Sequence, residues 1–365
     1  MVYRAIGVMS GTALGGLDIV FAELQEAAGS WKYTIGAADR YPYSSDWKEK
    51  IRKATSLSSV DYLSLHTAYG HYIGKEVRRF IAEHALDYQV QLVVSHGHAS
   101  FHLPEQRLTA QLGAGSAIAA ETGINVVSDL RAMDMALGGN GAPIVPMGEK
   151  LLFGEYQCFL NIGSIVNIAC HTPEEVISFD ICPANKVLNM LAAQAGETYD
   201  PGGKMAATGE VKQPLLQILN ELEYYSMPYP KYLSIDFATD VIFPLLKGHN
   251  TNDAMRTYVE HVAVQTVNAL VQLYPEAATG TLRPKLLVTG GGANNTFLVN
   301  RILGLAEAMQ IEVIIPDQNI INFKEALVMA LIGILRWREE NNVLAAITGA
   351  ERDSIGGAVW IGQEA

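Results

Sequence analysis

Basic residues are in short supply. Lys and Arg number 26 against 38 Asp and Glu, a formal net charge of −12 over 365 residues, and no Lys/Arg run interrupts the deficit. Binding to a phosphate backbone needs a basic face, so no nucleic-acid partner is expected. Small anionic molecules stay open, because backbone N–H groups hold phosphate without net positive charge. Cysteine is scarcer still. Cys158, Cys170 and Cys182 stand twelve residues apart without a CxxC; the odd count argues against a disulfide framework, and beside strands they read as buried small hydrophobes. The longest candidate apolar span, Ala326–Leu335, is too short for a membrane helix and suits a core helix. The apolar stretch near Met1 is too short for a secretory signal. The expectation is a cytoplasmic protein with no membrane partner. Three catalytic signatures are missing as well. Gly203-Lys204 is followed by Met205 and has no P-loop glycine upstream, Gly113-Ala114-Gly115 lacks a third glycine, and none of Ser10, Ser116 and Ser164 sits in GxSxG.

A large core is available: 49% of the residues are hydrophobic and only 18% charged, which opposes disorder. The length exceeds one usual core, so two domains are expected. The chain is organised around 159–185. There an apolar run, a Gly163-Ser164 turn, a second run, a polar turn at 172–175 and a third run end at Asp180, followed by Cys-Pro-Ala-Asn and a helix. Short β-branched runs between turn residues are strand signals. A carboxylate at the end of a buried strand can act as a general base; it can equally cap the following helix. The N-terminus repeats the pattern, with a strand over 3–9, the turn Ser10–Gly16, and strands over 18–24 and 31–37, so an internal duplication into two similar lobes is expected. Residues 59–82 carry apolar side chains at helical spacing, 134–146 reads as the crossover between lobes, and 224–236 as an ordered surface excursion. Glycine turns after strands at 10–16, 163–164 and 290–292 together point to a nucleotide held by backbone N–H groups. His96, His98 and His102 suit a sugar or phosphate pocket better than a metal, since no Cys or carboxylate stands at ligand spacing.

These pieces resemble a known family. Gly7-Val8-Met9-Ser10-Gly11-Thr12, Asp18, Ser95-His96-Gly97, Val127–Arg131, Gly138–Pro143, Leu160–Gly163, Phe179-Asp180, Pro183, Asn185, Gly290–Asn295 and Lys324-Glu325-Ala326 are similar, in one order, to the anhydro-N-acetylmuramic acid kinases of the sugar kinase/heat-shock protein 70/actin superfamily. The resemblance implies a two-lobed actin-like ATPase (ribonuclease H-like) α/β fold with duplicated mixed-sheet domains and an interlobe cleft. The lobes are placed at 1–129 and 130–349, with the tail from about 350 packing on the first. It further implies an enzyme that uses ATP and Mg²⁺ to open and phosphorylate the 1,6-anhydro sugar, and a homodimer. Asp180 would be the catalytic base. Met9, Ser10, Gly11, Thr12, Gly163, Gly290, Gly291 and Gly292 would hold the nucleotide, His96, Arg131, Asp134 and Glu325 the sugar, and Asp18 the metal.

Departures from the family pattern fall at the chemistry. Ala13 and Gly15 stand where the family's phosphate loop has Ser and Asp, Asn189 and Gly202 where it has Asp, and Ala99 where it has Thr. Two readings follow: a working sugar kinase, or a catalytically weakened homologue that binds nucleotide or amino sugar as a sensor or scaffold.

Overall fold

The structure is a computed structural model and describes residues 1–11, 14–171, 176–229, 231–234, 236–274 and 283–362. Thr12 and Ala13 of the glycine turn, and the 172–175 turn, lie outside the described residues. The chain divides into two compact units, Met1–Gly154 with Phe323–Ala365, and Glu155–Asn322. The division thus falls at 154/155 rather than 129/130, and the returning segment begins at Phe323 rather than near 350. The expected crossover at 134–146 contains a helical turn, Ala132–Ala136, leads into a helix over Val145–Leu152, and belongs to the first unit.

In the first unit the strands β1 (Val2–Ser10), β2 (Gly16–Ala27) and β3 (Ser30–Pro42) form an antiparallel meander. β4 (Leu92–Ser95) lies parallel to β1, and β7 (Val126–Ser128) parallel to β4. Between them β5 (His98–Leu103) and β6 (Leu108–Leu112) make a separate hairpin that sequence patterning did not suggest. A late strand, β13 (Ala358–Trp360), adds antiparallel to β7. The second unit repeats the plan. β8 (Cys158–Ile162), β9 (Ile165–His171) and β10 (Val176–Pro183) are an antiparallel meander, β11 (Lys285–Thr289) is parallel to β8, and β12 (Glu312–Ile314) parallel to β11. Both sheets therefore run third-second-first-fourth-fifth in order of appearance, with the first unit extended by β13. This is the duplicated mixed-sheet plan expected of the actin-like fold.

The helix α1 (Ser59–Glu83) starts where Ser58 accepts a bond from the Asp61 N–H, a side-chain cap of the usual kind. Its predicted apolar face is buried at Leu65, Tyr69, Ile73, Val77 and Phe80, next to Ile6, Val8, Leu17 and Ile19 of the sheet. The helix α2 (Gln318–Trp337) is apolar nearly all round because most of it is enclosed. Gly7 in the middle of β1 makes room for it: a Cβ there would lie 1.9 Å from the Ala326 carbonyl oxygen. In the second unit Leu160, Ile162, Val166, Ile168 and Phe179 pack with Tyr258 and Val262 in one core.

The cysteine expectation is corrected. Cys158 and Cys170 face each other across β8 and β9, with Cα atoms 4.2 Å apart, and are joined as a disulfide, whereas Cys182 is free and buried. Strand register set this pairing, which twelve-residue spacing alone did not reveal. Among the described residues no helix is long and apolar enough to cross a membrane.

Candidate active site

The expected site residues fall into two groups, one in each unit. In the second unit Asp180 sits at a β-bulge: it pairs with Asn167, but Cys182 pairs with Val166, leaving Ile181 as the extra residue. A bulge re-aims the side chain beside it, a recurrent device near reactive groups. Asp180 is partly buried. Its Oδ2 accepts the Leu233 N–H at 3.0 Å, its own N–H donates to the Lys231 carbonyl at 3.0 Å, and its carbonyl accepts the Tyr224 hydroxyl at 2.6 Å. Burial pushes the carboxyl above the usual aspartate range, and the Leu233 N–H pulls it partly back. The capping alternative fails on geometry. The helix over Asn185–Gln194 has Ala184 as its N-cap and no side-chain cap bond.

At the end of the same sheet the glycine turns gather. Gly163-Ser164 joins β8 to β9. Its carbonyls accept the Asn185 N–H at 3.1 Å and the Ala184 N–H at 2.8 Å, while Asn185 Nδ2 reaches the Ile162 carbonyl at 3.2 Å. β11 pairs with β8 up to Thr289–Asn161, so Gly290–Gly292 arrives at the same end. Gly290 has φ +84°, and a Cβ on it would lie 2.4 Å from Asn161 Oδ1 and 2.8 Å from the Ile162 carbonyl; only glycine permits both the conformation and the approach. Gly291, by contrast, faces open space, with Asn185 Nδ2 the nearest neighbour at 3.9 Å. The Thr289 hydroxyl beneath the turn is buried without a partner. An open glycine backbone above an orphaned hydroxyl fits a polar ligand such as the phosphates or ribose of ATP.

In the first unit the glycine turn after β1 is open at Gly11 and Gly15, where an added Cβ would meet nothing within 4 Å. The Ser10 side chain is not displayed in that turn. It is buried, with its Oγ 2.6 Å from the Tyr43 hydroxyl and 2.9 Å from His98 Nδ1, and it accepts the Tyr69 hydroxyl at 3.0 Å. His98, expected in a sugar or phosphate pocket, is thus engaged by Ser10, and Tyr43 and Tyr69 carried no site expectation. Met9 lies opposite Asp18 in the β1–β2 register. Asp18 in turn lies opposite Arg40, whose Nε and Nη2 donate to both carboxylate oxygens at 2.5 and 2.9 Å. Burial raises the Asp18 pKa and Arg40 opposes the rise. With both oxygens so engaged, Asp18 does not fit a protein-held Mg²⁺, and among the described residues no group of three or more His, Cys, Asp and Glu gathers for a metal.

In this unit His96, Arg131 and Glu325, buried or partly buried, act on one another electrostatically, Arg131 on His96 and on Glu325. His96 is buried, and its Nδ1 stands 3.1 Å from the Gly97 carbonyl, which can only accept; Nδ1 therefore carries the proton. Burial, then the positive charge of Arg131, lowers its pKa to about 3, so the ring is neutral and Nε2 is an acceptor without a partner. Arg131 Nε is likewise buried and unpartnered. Burial lowers the Arg131 pKa to about 10, with Glu325 opposing. The Glu325 carboxyl is raised, first by burial, while Lys324 and Arg131 pull it down and Asp18 and Glu149 push it up. An orphaned acceptor, an orphaned guanidinium N–H and a carboxylate in electrostatic contact suit a ligand rich in hydroxyl and amide groups. Asp134 is placed otherwise. It is fully buried, and its oxygens are taken by the Thr348 hydroxyl at 2.6 Å and the Gly141 N–H at 2.7 Å, so it braces the 138–141 loop.

A family model described as anhydro-N-acetylmuramic acid kinase matches residues 3–362. Relatives bearing that name include one from Sulfurovum sp. (strain NBC37-1), 32% identical over 98% of this chain and 99% of its own. Another, from Hydrogenovibrio crunogenus, is 30% identical over 97% of each chain, and one from Vibrio vulnificus is 30% identical over 95% of each. Among solved structures, the activator of 2-hydroxyisocaproyl-CoA dehydratase from Clostridium difficile, with bound ADPNP, aligns at a TM-score of 0.46 and 15% identity, covering 92% of this chain and 96% of that one. On a model that spans nearly every residue and relatives that match from end to end, the chain belongs to the anhydro-N-acetylmuramic acid kinase family.

Proposed function

We propose that this chain catalyses hydrolytic opening and phosphorylation of 1,6-anhydro-N-acetylmuramic acid at the expense of ATP, as part of cell-wall recycling. Water adds to the anomeric carbon and gives up a proton, the bond to the bridging oxygen breaks, and that oxygen takes the γ-phosphoryl group. The products are N-acetylmuramic acid 6-phosphate and ADP. Asp180 accepts the proton from water. His96 Nε2, Arg131 and Glu325 bind the sugar, the first as acceptor and the second as donor. The glycine turns at 290–292 and 163 bind the nucleotide, and Mg²⁺ enters as its complex with ATP, since Mg²⁺ commonly rests on substrate phosphates. A cytoplasmic setting and a homodimer belong to the same reading.

The observation that carries it is the state of Asp180. A carboxylate re-aimed by a bulge, raised by burial and held by one N–H suits the role of proton acceptor from water. The test is ADP release in a coupled assay with and without the anhydro sugar. Release should depend on the sugar, and Asp180→Asn should lower kcat by roughly 10²–10⁴-fold. Nucleotide binding without sugar-dependent release would favour the sensor or scaffold; release untouched by Asp180→Asn would remove the base assignment.

A further inference from the structure

The second unit contains a buried cation that the proposed chemistry leaves unused. Lys231 is 7% exposed. Among the described residues no carboxylate stands within ion-pair distance of it. Its Nζ instead donates to the Tyr224 and Tyr225 carbonyls at 3.2 and 3.4 Å, and lies 4.9 Å from the Tyr224 ring centre and 5.8 Å from that of Phe179. An ammonium removed from water without a counter-charge is costly. Carbonyl oxygens and ring faces offset only part of that cost.

What the arrangement achieves is visible at Asp180. The edge strand β10 is covered at the bulge by the tyrosine-rich excursion, which grips Asp180 at three atoms: its N–H through the Lys231 carbonyl, its carbonyl through the Tyr224 hydroxyl, and its carboxylate through the Leu233 N–H. Beside it Phe179 stacks on Tyr229 with ring centres 5.6 Å apart. The residues that grip Asp180 lie at both ends of a loop, 224 and 231–233. The Lys231 side chain closes that loop on itself by binding the carbonyls of 224 and 225. No other cation is bonded to these carbonyls among the described residues.

We infer that Lys231 is a positioning residue, which staples the 224–233 excursion shut and so fixes the Asp180 carboxylate for catalysis through the Leu233 N–H and the Tyr224 hydroxyl. The inference rests on reading Asp180 as the base. Lys231 acts through the backbone it holds, not by its charge: the groups that set the protonation of Asp180 are burial and the Leu233 N–H. Lys231→Met keeps the length and the apolar stem but removes the donors. It should lower kcat for the anhydro sugar about tenfold, the scale of one lost hydrogen bond to a charged group, and leave KM for ATP unchanged. The carboxyl of Asp180, read in the resting protein by ¹³C NMR against Asp180→Asn, should titrate at higher pH in Lys231→Met, because an N–H that favours the charged form is lost. Lys231→Arg restores donors and should recover most of both effects. Tyr224→Phe removes only the hydroxyl on the Asp180 carbonyl; it should move kcat in the same direction and stands in if Lys231→Met does not fold. Wild-type kcat in Lys231→Met, a loss confined to KM, or an Asp180 titration that stays put or moves down would overturn the inference. If the wild type turns over no anhydro sugar while the titration still moves, the kinase reading fails and the staple stands.

Discussion

A neutral histidine at ordinary pH is a commitment as much as a property. An unperturbed imidazole titrates near 6.5, but His96 gains its proton only near 3, because burial and Arg131 both oppose the charge. Its ring should therefore keep one proton, on Nδ1, down to about pH 5, which ¹⁵N-edited NMR of the imidazole nitrogens would show. His96→Ala should raise KM for the sugar by about three- to tenfold, one neutral hydrogen bond's worth, with KM for ATP unchanged in steady-state assays. Asp180, His96, Arg131 and Glu325 sit in short motifs, so the sequence could nominate them. Their partners it could not. Arg40 meets Asp18 through the register of two strands, Tyr69 and Tyr43 meet Ser10 across 59 and 33 positions, and Lys231 lies in a stretch that reads only as Tyr- and Pro-rich. Such juxtapositions depend on tertiary pairing, which leaves no local pattern.

At the scale of elements, β1 and α2 depend on each other. Gly7 lets the helix lie against the strand, and Gly333 does the same near Val94, where a Cβ would come within 2.1 Å of the valine side chain. Lys324, inside the helix, is buried 2.6 Å from Glu149, so the helix cannot shift cheaply to admit a larger residue. Gly7→Ala should cost about 3 kcal/mol, the upper part of the usual overpacking range, read as a lower urea midpoint at unchanged slope. The sequence showed most of these elements. α1 runs one residue beyond the expected 59–82, and the all-round apolar character of 324–337 marked a buried helix. It showed neither the β5–β6 hairpin nor the order of strands in either sheet, since pairing partners are distant in the chain. The Cys158–Cys170 bond belongs to the same class of hidden fact.

Across the whole molecule, the second unit is one uninterrupted stretch, Glu155–Asn322, with its own sheet and its own core, whereas the first needs both ends of the chain. A fragment of 155–322 should therefore unfold cooperatively in urea with native-like near-ultraviolet dichroism. A fragment of 1–154, lacking the part of α2 that covers Gly7 and the strand β13 beside β7, should not. The duplication behind the two units was legible from the repeated strand-turn-strand order at 3–37 and 159–180. The boundary was missed because the glycine- and proline-rich 134–146 stretch imitates a linker, while its residues are fastened inward, Gly141 by Asp134 and Asn140 by the Thr348 carbonyl. The discontinuity also sets an order of assembly on the ribosome. Residues 155–322 are complete and able to close their sheet while the first unit, though begun earlier, still lacks its covering helix. The nascent first unit must wait through the synthesis of another domain before the helix that lies against Gly7 is made.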